Sequence, residues 1–359
     1  METVLSASGL YDQSLSESVL DYMDFEYPTT SGRSVEWYRV SGGTSRVIEK
    51  MEAILSRKPS LGSRVTSIEY QTADSHYPMS VQVEGETQSR EYSAVFSTAS
   101  LPCIRRIAVG QGILSPGQRT AIQNVHYDAS TKIAVKFKTA WWTKYCQIRG
   151  GQASTDLPIR TCVYPSSGTN TEDVSTVLLC SYTWGQDAQQ IASLTGQDSD
   201  GARKKELEHI VHHNLALLHQ SHTDSFSSRP YGYRRMLKII QNEYVCLHAY
   251  NWYDDPSASG AFAYFGPGQF RHFYPELVSP AADGHMFLVG EACSAHHAWI
   301  SGSLDSAYRG LMQYFYKLII EGRVGRGVLD KLKEAWGPLD EMSEEMLEWQ
   351  AILAHLARR

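Results

Sequence analysis

Gly290-Glu291-Ala292-Cys293-Ser294-Ala295-His296-His297-Ala298-Trp299-Ile300-Ser301-Gly302-Ser303-Leu304-Asp305-Ser306-Ala307 joins a strand-like run, Met286-Phe287-Leu288-Val289, to a helical pattern carrying Tyr308, Arg309 and Leu311. Small residues make the turn, and the helix is expected to begin near Trp299 or Gly302. The first N–H groups of a helix have no intrahelical partner, and its dipole puts partial positive charge there. A buried strand, a tight turn and such a helix end together gather backbone donors on an anionic ligand. Without a ligand the same pattern is a plain buried crossover.

Working upstream, residues 260–273 are rich in Gly and aromatics, and residues 245–252 read as a strand. Residues 206–220 predict a helix, and residues 160–164 and 177–182 predict two strands separated by the loop 165–173. Over 131–138 the chain alternates Ile133, Val135 and Phe137 with Lys132, Lys136 and Lys138, the period of a strand with one solvated face. Strands are expected at 65–71, 79–84 and 93–99, the last ended by Leu101-Pro102. Residues 37–44 read as a short strand and a Gly42-Gly43 turn, opening a helix over 44–56 that buries Val47, Met51 and Leu55. Residues 13–25 place Leu15, Val19, Leu20 and Met23 on one helical face, with Ser14 or Ser16 as cap and a polar loop over 27–34 beyond. Downstream, 328–357 is an amphipathic helical tail interrupted at Gly337-Pro338. Strands grouped in the middle with βα-like units on both sides predict an α/β, mixed α+β, fold whose domains share the chain discontinuously.

Composition narrows the function classes. With 359 residues, 42% hydrophobic and 20% charged, the chain can bury a sizeable core. A net charge of −6, with no face gathering Lys and Arg, argues against nucleic acid. Arg203-Lys204-Lys205 is expected to face solvent. Cys103, Cys146, Cys162, Cys180, Cys246 and Cys293 stand at neither metal-ligand nor redox spacing, which suits a reducing, cytoplasmic setting. No apolar run approaches the length of a membrane span, and Met1 to Ser6 lack a signal-peptide pattern. The pairs His212-His213 and His296-His297 have no carboxylate or Cys at ligand spacing, so no metal is expected. A Gly-x-Ser-x-Gly elbow is absent from the sequence.

The 290–307 stretch resembles the C-terminal motif of the flavin-containing (FAD-dependent) amine oxidases, fungal L-amino-acid oxidases in particular. Two further segments are similar: Tyr127-Asp128-Ala129-Ser130-Thr131-Lys132-Ile133 with Trp141-Trp142 beyond, and the Gly42-Gly43 turn before its helix. The resemblance implies an oxidoreductase that deaminates a primary amine or L-amino acid, passing hydride to flavin N5, with oxygen as final acceptor. It implies that Gly290 and Glu291 bind the ribityl–phosphate region. The helix start at Trp299 and Ile300 would face the pyrimidine edge of the ring, Gly42 and Gly43 would pack beside it, and Val65 would touch the adenine. Trp299 and Tyr264 would shape the substrate cage, and Lys132 would hold a water at N5. Trp184, Trp252 and Ala298 would line the pocket, which Ala298 narrows because the family carries Gly there. On pattern alone, Lys132 reads equally as a solvated Lys on the polar strand face, and the aromatics and the strands at Val65 and Val95 equally as core.

The dinucleotide fingerprint Gly-x-Gly-x-x-Gly, expected after a first strand, is not in the sequence. Near misses occur at Gly110-Gln111-Gly112, Gly266-Pro267-Gly268 and Gly325-Arg326-Gly327, and none is expected to follow a strand and open a helix. Resemblance therefore predicts an incomplete Rossmann-like FAD-binding domain interleaved with a mixed-sheet substrate domain. It assigns 1–36 and 103–272 to substrate binding, 37–102 and 273–320 to the FAD-domain remnant, and 321–359 to a helical tail. Losing four or five charge-assisted hydrogen bonds removes on the order of 6–12 kcal/mol of cofactor affinity, so FAD is expected to bind weakly or not at all. Three accounts stay open: part of a split oxidase completed by a complementary N-terminal chain, a flavin-independent cyclase or isomerase reusing the pocket, and a non-catalytic remnant. The expected partners are a small amine or amino-acid substrate, with a homo-oligomer or that second chain, and no membrane.

Overall fold

A computed structural model describes residues 12–25, 38–71, 75–166, 176–196, 201–224, 227–338 and 343–356. The readings at 1–11, at the loop 27–34 and at Trp37 lie outside the described residues. The chain forms two compact units, Met1–Gln13 with His126–Ala263 and Ser14–Val125 with Tyr264–Arg359.

In the second unit, the helix predicted near the start is α1 (Leu15–Phe25), capped by Ser14, whose Oγ accepts from Glu17 N at 3.2 Å. Residues 38–40 form no strand, and α2 (Ser45–Ile54) follows the Gly42-Gly43 turn. Its expected stripe is not buried: Val47 is half-buried and Met51 and Leu55 are exposed, as are Ile48 and Ile54, Ile54 to 85%. A mixed sheet follows with strand order β3-β2-β1-β5, built from β1 (Val65–Tyr70), β2 (Met79–Val83), β3 (Arg90–Tyr92) and β5 (Ala108–Val109). β4 (Val95–Ser97) instead pairs in parallel with β13 (Met286–Leu288), in the register Met286↔Val95 to Leu288↔Ser97. Short α3 (Leu101–Ile104) and α4 (Pro116–Asn124) lie between β4 and the end of this stretch. α4 was not expected, yet Ser115-Pro116-Gly117-Gln118 is a capping box with Pro at the first turn, a signal legible in sequence.

All three residues of β13 are buried, as a strand covered on both faces requires. Helix α10 (Ile300–Ile320) packs across this parallel pair: a Cβ on Gly310 would sit 2.8 Å from Val289 Cγ1 and 3.5 Å from Phe96. Strand, turn and helix make the Rossmann-like half of the unit. The helical tail, α11 (Gly327–Trp336) and α12 (Glu344–Leu356), joins a cluster of Tyr308, Met312, Tyr316, Leu329 and Leu347. One correction concerns Gly266-Pro267-Gly268: it follows the short strand β12 (Ala263–Tyr264), and Gly268, at φ 78°, opens helix α9 (Gln269–Val278). It still lacks the third Gly, with Arg271 in that place.

In the first unit, after the short β6 (His126–Tyr127), five strands run in the order β11-β7-β10-β9-β8. Central β7 (Ser130–Phe137) lies between β10 (Thr176–Trp184) and β11 (Tyr244–Asn251), with β9 (Thr161–Val163) and β8 (Gln152–Ser154) beyond β10. The predicted alternation holds: Ile133, Val135 and Phe137 are wholly buried, while Lys132 and Lys136 point to the other face. The buried face packs with Trp141, Trp142, Leu178, Leu215 and Met236 into one core. Helix α7 (Gly201–His219) was expected, whereas α5 (Trp141–Cys146), α6 (Gly185–Ala192) and α8 (Tyr233–Glu243) were not. In α8, Met236 and Ile240 stand four apart and are both fully buried, the spacing that marks an apolar helix face.

Candidate functional site

The motif loop of the second unit is ordered by hydrogen bonds between side chains and its backbone. Gly290 takes φ 126°, which suits Gly alone, and its N–H donates to Ser306 Oγ at 2.7 Å. Ser294 Oγ donates to Glu291 O and accepts from His296 N, both at 3.0 Å. Arg309, fully buried on α10, donates through Nη1 to Cys293 O at 2.5 Å. Glu291 Oε2 accepts from Ala298 N at 3.2 Å, so the carboxylate closes the loop back on itself. Ala298 adopts φ 65°, a left-handed conformation in the position where the resembled motif carries Gly.

Helix α10 then begins at Ile300, with Trp299 as N-cap supplying no side-chain cap. Its first turn packs closely on the loop: a Cβ on Gly302 would stand 2.2 Å from His296 O and 2.4 Å from Ser294 Oγ. Two His–carboxylate pairs tie α1 to this loop. His296 Nδ1 meets Asp24 Oδ1 at 2.6 Å, and buried His297 Nδ1 meets buried Glu17 Oε1. Burial disfavours charge on His297, but the Glu17 hydrogen bond and the Glu17, Glu291 and Asp21 charges outweigh it and raise its pKa. His297 also stacks on Phe265 at 5.0 Å. This α1 clip was not anticipated; adjacent His with acidic residues far upstream leave no local signal.

Of the other expected positions in this unit, Gly42 and Gly43 take φ 85° and 93°, and nothing lies within 4 Å of a Cβ built on Gly43. Val65 opens β1, and Tyr264 is buried in β12. Ile300 is 49% exposed.

Lys132, Trp184 and Trp252 belong to the first unit. Lys132 stands opposite Tyr182 on β10 and Tyr250 on β11, and its Nζ lies 4.3 Å from the Tyr182 ring centroid. Burial holds its pKa below the usual lysine range. Trp184, opposite Ser130, packs on Tyr182 with centroids 4.2 Å apart. Trp252 begins a 3-10 turn and meets Tyr250 edge-on at 4.8 Å. Four residues before Lys132, Asp128 is 4% exposed and its Oδ1 accepts from Gly185 N at 3.2 Å. Burial raises its pKa to about 7, against the lowering effect of the Gly185 and Ala129 N–H groups. Neither Asp128 nor Tyr182 carries a functional signal of its own in the sequence, although Asp128 lies in the segment 127–133 and Tyr182 in the expected strand 177–182.

A family profile described as flavin containing amine oxidoreductase matches residues 2–310. The chain belongs to that family. A putative bifunctional amine oxidase of Dictyostelium discoideum is 36% identical over 99% of this chain and 31% of its own length. The L-amino-acid oxidase 4 of Hebeloma cylindrosporum is 35% identical over 96% of this chain and 53% of its own. The chain thus spans about a third to a half of the length of the curated relatives it matches. Among solved structures, a putrescine oxidase triple mutant aligns with TM-score 0.55 and 16% identity over 74% of this chain and 51% of that one. The cyclohexylamine oxidase of Brevibacterium oxydans aligns with TM-score 0.53 and 15% identity over 73% and 49%. These structures share its fold.

The residues present suit a flavin on one side. The first turn of α10 carries no side-chain cap, leaving donors suited to an electron-rich ring edge, and Gly43 leaves open space. On the nucleotide side the Gly-x-Gly-x-x-Gly grip is not among the 359 residues. Among the described residues no cluster of His, Cys, Asp and Glu is placed to hold a metal, and no helix is long and apolar enough to cross a membrane.

Proposed function

We propose that this amine oxidoreductase provides the ring-facing half of an oxidase site for oxidative deamination of an amine or L-amino acid, with oxygen as acceptor. The observation that carries the reading is the 290–307 loop, ordered by Gly290, Glu291, Ser294 and Arg309 so that the uncapped α10 N-terminus follows it. Bound FAD would supply the hydride acceptor. Glu291 with Gly290, Gly42, Gly43 and Val65 would hold it, and Trp299 and Ile300 would present the helix end to its ring. Within the second unit Trp299, Tyr264 and Ala298 would shape a small-substrate pocket, and within the first Trp184 and Trp252 would serve as pocket-lining aromatics. Lys132 Nζ would hold a water and manage a proton during reoxidation, a role suited to a lysine whose charge burial already disfavours.

On this reading, 1–36 and 103–272 serve the substrate and 37–102 with 273–320 serve the cofactor. Tight FAD binding would draw on phosphate-gripping residues beyond these 359, and the exposed apolar face of α2 suits an interaction surface for them or for a second copy. The free cysteines fit a cytoplasmic setting. The test is to purify the chain with added FAD, and with the N-terminal half of the Hebeloma relative, and to follow flavin absorbance and peroxide release from L-amino acids. Flavin uptake that survives Lys132→Met, with peroxide release slowed in that variant, supports the reading. A colourless chain that turns over substrate in every mixture defeats it.

A further inference from the structure

We propose that Tyr182 is the positioning residue for Lys132, its ring face holding the ammonium in place for the water that Lys132 would serve. The inference rests on the role given to Lys132 above. Cross-strand partners on an antiparallel pair share a face, and Lys132 lies between Tyr182 on β10 and Tyr250 on β11. The ammonium stands 4.3 Å from the Tyr182 centroid, a distance at which the negative ring face attracts a cation. Trp184 packs on that ring at 4.2 Å and 45°, which restrains it from swinging away.

The choice of an aromatic has a chemical consequence. Burial works against the charge on Lys132, and a neighbour that favours the charge would limit that effect. A carboxylate opposite would do so by accepting its N–H donors, leaving fewer for a ligand. A ring face attracts the charge without occupying those donors. Among the described residues Lys132 has this ring contact and no hydrogen bond or ion pair. The three ammonium donors therefore remain for a water or substrate group.

Other charged and titratable groups share the surroundings. Lys136 is on the same face of β7, and Asp128 raises the pKa of Tyr182, although burial raises it more. From β11 come His248, opposite Ala134, and Tyr250, whose hydroxyl donates to Asp255 Oδ2 at 2.5 Å.

The test measures Lys132 itself and needs no flavin. The chain is treated with trinitrobenzenesulfonate, which reacts with neutral amines, and modification at Lys132 is followed by peptide mass spectrometry across a pH series, with Lys136 and Lys138 as internal references. Tyr182→Leu removes the ring and is expected to speed labelling of Lys132 about two- to tenfold at pH 8 and to move its pH midpoint down. Tyr182→Phe keeps the ring and should retain the parent profile. Should the Leu variant not fold, tetrafluorophenylalanine at position 182 keeps the shape, weakens the ring face and must reproduce the shift. A Leu or fluorinated variant with the parent profile overturns the proposal, as does a Phe variant that shifts as far as Leu. Absence of peroxide release in every form would overturn the oxidase reading alone, since the labelling profile is read independently of it.

Discussion

Ala298 occupies a left-handed conformation, φ 65°, in the loop that sets the start of α10. An L-residue there costs about 1–2 kcal/mol relative to Gly, partly returned by the lower entropy of unfolded Ala. Ala298→Gly should therefore raise stability by about 0.5–1 kcal/mol, read as a higher urea midpoint; a fall would show that the Ala methyl packs usefully. Asp128 has the opposite character, a buried carboxyl whose pKa rises to about 7 from an ordinary 3.8. The folded chain then binds more protons than the unfolded one between those values, so stability falls as pH rises through that window. Asp128→Asn should remove the fall, making the variant more stable than the parent at pH 8 but not at pH 4 in paired urea titrations. His297 is raised in the fold despite its burial, by Glu17 foremost among the charges around it. Its contribution is complete below the unfolded value of about 6.5 and is lost as pH climbs through the higher folded one. Thermal melts across that range should show the loss in the parent and a flatter profile in Glu17→Gln, at lower stability at the acid end because the buried imidazole loses its hydrogen-bonded carboxylate.

Among the elements, α10 depends most on one position. Gly302 lies within its first turn, and any Cβ would collide with His296 O and Ser294 Oγ, backbone and short side chain that cannot swing aside. Gly302→Ala should cost about 1–3 kcal/mol and shift the motif loop, whereas Gly327→Ala at the start of α11, with open space around it, should cost little; equal melting temperatures would refute the close packing. Such packing explains which parts of the fold were legible in sequence. β7 was readable because its alternation is the direct imprint of one buried face, and the 290–307 turn because small residues and Gly are obligatory where helix meets loop. The stripe on α2 is apolar as its spacing predicts but exposed, since periodicity reports a face and not what covers it. Helices α4 and α8 were overlooked although a capping box and an i, i+4 pair announce them. The clip of α1 through Glu17 and Asp24 joins residues some 270 positions apart, and no local pattern encodes such a pairing.

Across the whole chain, a well-ordered 290–307 loop stands against the absence of a Gly-x-Gly-x-x-Gly fingerprint from these 359 residues. β13 and β4 form a parallel pair buried by α10, yet parallel sheets are stable when several strands share the cover. The exposed Ile48, Met51, Ile54 and Leu55 on α2 leave a contiguous apolar stripe of the kind that marks an interaction surface. Both observations bear on cofactor affinity, because a helix end contributes only about 0.3–2 kcal/mol to an acceptor beside it. The missing phosphate contacts would have contributed on the order of 6–12 kcal/mol. The chain alone is therefore expected to hold FAD at micromolar affinity or weaker, and addition of the N-terminal half of a relative should tighten binding by at least about a hundredfold. Fluorescence titration of FAD with and without that half measures both quantities. Nanomolar binding by the chain alone would mean that residues outside the fingerprint grip the pyrophosphate, and would return the nucleotide side of the site to this polypeptide.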